Sequence, residues 1–68
     1  MSASNPRRPH PYQINDSTYG VRQSGDQWAV VEYYTVIDRH GEKDNMDEVV
    51  GWFGSRTEAE AERERLSR

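Results

Sequence analysis

The sequence has no cysteine, one phenylalanine among its seven aromatic residues, and no apolar run of membrane-spanning length. Without thiols, disulfide staples and thiolate metal sites are excluded, so stability has to come from packing or association. A membrane span needs about 18 consecutive apolar residues, and Met1 to Arg8 lacks the apolar segment of a secretory signal. These absences give the expectation of a cytoplasmic protein with no membrane contact. The triplet Asn15-Asp16-Ser17 matches a glycosylation acceptor but has no secretory context, so it is read as chance.

Apolar residues are also scarce, at 32% with a mean hydropathy of -1.15. They are concentrated between Tyr19 and Phe53, which is where an ordered core is expected. At 68 residues the chain is one domain near the lower size limit for a single core, and association would help it. Positive charge is scarce in the middle. Residues 23–54 hold seven carboxylates against Arg39 and Lys43, whereas residues 1–22 balance to +2 and residues 55–68 to zero.

The run Trp28 to Ile37 reads as one long strand with two apolar faces. Successive side chains alternate, so Ala29, Val31, Tyr33, Thr35 and Ile37 share one side, and Trp28, Val30, Glu32, Tyr34 and Val36 the other. Thr18 to Arg22 is a shorter strand joined to it by the turn composition of Gln23-Ser24-Gly25-Asp26. After a charged loop, Asp38 to Asn45, with Gly41 at a turn, the third strand is Glu48 to Phe53. Strict alternation there puts Val49, Gly51 and Phe53 on one side and Val50 and Trp52 on the other.

Ser55-Arg56-Thr57-Glu58 has the form of a capping box, which predicts a helix running to about Leu66. Its only apolar residues are Ala59, Ala61 and Leu66, so it can hide part of one sheet face. The like-charge pairs Glu58 with Glu62 and Glu60 with Glu64 oppose it, and Glu60 with Arg63, Glu62 with Arg65 and Glu64 with Arg68 offset them. The expected fold is therefore α+β: a three-stranded antiparallel sheet with one C-terminal helix on one face, over residues 17–67. Its expected core is Val31, Tyr33, Ile37, Val49, Phe53, Ala59 and Leu66. Residues 1–16, with three prolines and the pair Arg7-Arg8, read as a disordered basic tail.

Strand, strand, tryptophan-bearing strand and then Phe53-Gly54-Ser55-Arg56-Thr57-Glu58-Ala59 resembles the β-β-β-α modules of the AP2-like and phage-integrase arm-type DNA-binding class. Trp28, Phe53, Thr57, Glu58 and Ala59 carry the resemblance, which spans about residues 18 to 66. It implies DNA contact through the sheet face away from the helix. Duplex binding is led by phosphate neutralisation, and the acidic middle of this chain runs against it.

The expected function is that of a small non-catalytic binding module. Trp28, Val30, Glu32, Tyr34, Val36, Val50 and Trp52 form the expected partner-binding face, for a second copy or another protein, because soluble monomers seldom leave such a patch open. An acidic rim of Glu32, Asp47 and Glu48 would favour a basic partner. The alternatives are DNA binding by the same face with Arg7, Arg8, Arg22 and Arg39 on phosphates, base stacking on exposed rings, or an acidic decoy of a phage or plasmid that imitates nucleic acid. No catalytic group, cofactor or small-molecule substrate is expected, since Ser24 and Ser55 each have a structural role. No metal site is expected either: His10 and His40 lack His or Cys neighbours at ligand spacing, and Asp44, Asp47 and Glu48 do not follow the calcium-loop pattern.

Overall fold

A computed structural model of the chain describes residues 10–68. Three antiparallel strands, β1 (Thr18–Ser24), β2 (Gln27–Ile37) and β3 (Lys43–Phe53), lie in the order β1-β2-β3 and are followed by the helix α1 (Arg56–Ser67). The α+β class and the β-β-β-α order expected from the sequence are those of the structure.

β1 and β2 are joined by the two-residue turn Gly25-Asp26, with Ser24 paired to Gln27. Gly25 has φ of 63°, which a tight hairpin turn requires and glycine supplies without a Cβ clash. Asp38 organises the second turn: its carboxylate accepts from the amides of His40 and Glu42, and Gly41 sits at φ 83°. β3 starts at Lys43, five residues before the expected Glu48, because cross-strand pairing with Ile37 to Tyr33 holds this polar stretch extended.

Pairing between β2 and β3 shifts by one residue between Val30 and Val31: Val30 faces Gly51, and Val31 faces Val49. Val50 is the extra residue of a β-bulge. From Phe53 to Gly51 alternation holds as expected, but beyond the bulge every side chain of β3 lies on the face opposite to that given by strict alternation. Val49 therefore joins Val31 instead of Phe53, and Glu48 lies opposite Glu32.

α1 packs mainly over β1 and β2. Its first residue, Arg56, places its guanidinium 5.7 Å from the centre of the Trp28 ring, so the helix covers the side of Trp28, Val30 and Phe53. This reverses the expected assignment. Ala59 is the fully buried residue of the helix, facing a floor in which Val30 is also fully buried. Ser55 caps the helix, accepting from the Glu58 amide at 3.2 Å, and its hydroxyl donates to the Glu58 carboxylate. Arg63 pairs with Glu60, and Arg65 with Glu62, as the spacing predicts.

Residues 10–16 are tied to the sheet, whereas the sequence places them in a disordered tail. The amide of Ile14 donates to the Thr35 carbonyl, that of Ile37 donates to the Tyr12 carbonyl, and Gln13 bridges to Val36. Thr35 and Ile37 lie in β2 beyond the end of β1, so their free edge groups are what this segment satisfies.

Candidate functional site

Two surfaces stand out, one on each side of the sheet. On the side away from α1, Ala29 and Val31 form a buried floor, and around it Tyr33 is 40% exposed, Val49 45% and Trp52 53%. Trp52 lies directly opposite Ala29, and Val49 opposite Val31. The Tyr33 ring lies against Gly20 so closely that a Cβ there would sit 3.2 Å from ring carbon Cε2. Arg22 reaches Asp47, with Nη2 to Oδ2 at 3.6 Å. These two residues belong to opposite edge strands, so their pair passes over β2 near Val31 and helps to explain why Val31 is fully buried on an otherwise open face.

The set expected to form the binding face is therefore divided. Val30, Glu32 and Tyr34 are buried, and Trp28 and Val36 share their side. Trp52 lies on the opposite side, and Val50 is at the bulge. The correction follows from which face α1 takes. Tyr33 and Val49 move the other way, from expected core to exposed patch. Glu32 and Glu48 leave the supposed rim of the open face as well. Its strand charges are Arg22 and Lys43 against Asp47, so the acidity of the middle segment lies elsewhere.

Much of that acidity faces the N-terminal segment. There Glu32, 3% exposed in a run of apolar residues, lies directly opposite Glu48. The His10 ring stacks on Tyr34 with centres 3.9 Å apart and planes 6° from parallel. Its Nε2 stands 3.3 Å from Glu32 Oε1 and 3.5 Å from Glu48 Oε1. The other Glu32 oxygen accepts from the Ser17 hydroxyl at 2.5 Å, and Ser17 in turn accepts from Gln13 Nε2. Gln13 Oε1 accepts from the His10 amide, which closes the loop. Burial, then the hydrogen bond to Glu48, raise the Tyr34 hydroxyl above its ordinary pKa.

The sequence does not reveal this cluster, because its three segments converge only after the N-terminal stretch docks. One signal was present in Glu32, a carboxylate inside an apolar strand, which needs a partner once buried. Of the cations expected at phosphates, Arg22 is paired with Asp47 and Arg39 is exposed in the β2–β3 turn, while Arg7 and Arg8 lie outside the described residues. No described helix is long and apolar enough to cross a membrane. Comparison with known proteins finds no matching family model, no matching curated protein and no matching solved structure.

Proposed function

We propose that this chain is a non-catalytic protein-binding module whose open sheet face pairs with the same face of a second copy. The observation that carries this reading is the cluster of Tyr33, Val49 and Trp52 around the Ala29–Val31 floor. Half-exposed aromatic and aliphatic groups over a closed floor have the composition of an interface centre, with tryptophan and tyrosine the favoured anchors.

A second copy is preferred to a basic partner on charge. Two cations against one anion leave the open face near neutral, and Arg22 and Asp47 lie on it together. In a two-fold arrangement each patch meets itself, so Arg22 of one copy can exchange its partner for Asp47 of the other without leaving either charge buried alone. The nucleic-acid alternative is weaker, because phosphate contacts need free cations and Arg22 already has an anion beside it.

Sedimentation equilibrium over a range of concentrations tests the proposal. The expected result is a concentration-dependent dimer that Trp52→Ala weakens while the thermal midpoint of the dilute chain barely moves. A strict monomer throughout the micromolar range overturns it.

A further inference from the structure

We propose that His10, Glu32 and Glu48 form a binding site for a single divalent metal ion of the zinc class. The three ligand atoms, one imidazole nitrogen and two carboxylate oxygens, all lie within 4.8 Å of one another. Ligands bound at about 2.1 Å in a tetrahedral shell stand about 3.4 Å apart. His10 Nε2 is 3.3 and 3.5 Å from the two carboxylate oxygens, so the spacing already suits a small ion.

The electrostatics ask for a cation at the same place. Glu32 and Glu48 are direct cross-strand partners on one face, and like charges so placed repel. Glu32 is also buried, where a carboxylate gains more from a coordinated cation than it would in water. A divalent ion between the three ligands would neutralise both carboxylates and bond to all three groups.

The surrounding contacts have the form that metal ligands need. One Glu32 oxygen accepts from the Ser17 hydroxyl and the other stands 3.3 Å from His10 Nε2, on the side the ion would take. The Tyr34 ring stacks on the imidazole and holds its plane. Orienting groups of this kind fix ligand geometry in metal sites. Mixed nitrogen and oxygen donors without thiolate favour zinc, cobalt or manganese over copper(I), and three protein ligands leave a position for water. The ion would also fasten residues 10–17 to β2 and β3, since His10 belongs to the first segment and the two glutamates to the strands.

The test is titration of the full chain with zinc by calorimetry, and with cobalt(II) by visible absorption. Expected are saturation at one ion per chain, cobalt bands of the intensity of a four-coordinate site, their loss when zinc is added, and a higher thermal midpoint with zinc. Glu48→Gln, at a half-exposed side chain that the fold tolerates, and His10→Ala should each weaken zinc binding by at least about tenfold, since even groups that only orient ligands are worth about 10–100-fold. His40→Ala, in the exposed turn, should leave it unchanged. Binding that does not saturate at one ion, or that survives Glu48→Gln and His10→Ala at full strength, overturns the proposal.

Discussion

Arg22 and Asp47 meet across the central strand, their side chains 3.6 Å apart although they belong to opposite edges of the sheet. Both are more than half exposed, so solvent screening leaves little energy in the pair itself. A double-mutant cycle with Arg22→Ala and Asp47→Ala is expected to give a coupling of about 0.2–1 kcal/mol, declining with salt. Arg22→Ala alone should cost more than the coupling, because it also uncovers Val31. Urea denaturation of the four chains measures both quantities.

Val30 at the centre of β2 and Trp52 on the open face separate stability from association. Val30 is fully buried against α1, and Val30→Ala is expected to cost about 1–3 kcal/mol of folding stability. Trp52, half exposed, should cost much less when replaced by alanine, and its effect should appear in self-association. Parallel urea and sedimentation measurements on the two variants check the contrast.

Ser55→Ala removes the oxygen that accepts from the Glu58 amide. Loss of such a cap costs about 1 kcal/mol. A helix with so small an apolar face has little tertiary packing to make up the difference, so the far-ultraviolet dichroism should also show fraying at the start of α1. Ser55→Asp should restore most of the loss.

Gly51 and Gly20 each lie beneath a ring. A Cβ at Gly51 would meet Phe53 Cε2 at 3.1 Å and Cζ at 3.3 Å, and one at Gly20 would meet Tyr33 Cε2 at 3.2 Å. Phe53 is confined on the helix side, whereas Tyr33 is open to solvent and can swing aside. Gly51→Ala is therefore expected to destabilise by about 1–3 kcal/mol and Gly20→Ala by less. Thermal melts of the two variants test this order.

Acid should act partly through Glu60. The hydrogen bond from Arg63 holds its carboxyl below the ordinary value of 4.5, against a smaller opposing effect of burial. A depressed folded pKa contributes stability above the unfolded value, and that contribution is lost as pH falls through the folded one. Glu60→Gln should thus be less stable than the wild type above pH 4.5, with the difference shrinking at lower pH. Urea midpoints on both sides of that value measure it.

The strands and the helix were legible because each has a local cause. A run rich in β-branched and aromatic residues marks Trp28 to Ile37, glycine marks both turns, and Ser55 with Glu58 marks the helix start. The assignment of faces was not legible. Val49 and Val50 are the same residue type, so the inserted residue leaves no trace in the hydrophobic pattern. Both sides of β2 are apolar, so nothing local decides which one a small helix covers. The early start of β3 was hidden for a different reason: Lys43 to Asp47 are polar and become a strand through pairing, which local propensity does not report. The His10 cluster joins residues 22 and 38 positions apart, beyond the reach of any spacing rule.

The extra residue at Val50 also works as a phase step along β3. Phe53 and Gly51 are in phase with the helix, and Glu48 is in phase with His10, only because one residue is counted out between them. Removing Val50 would therefore leave every other side chain of β3 on its present face, with Gly51 opposite Val30 and Val49 opposite Val31 in unbroken pairing. Taking Val50 into the ladder opposite Val31 would instead turn Glu48 to the open face and Asp47 toward His10, separating the Arg22 pair and the His10 cluster at once.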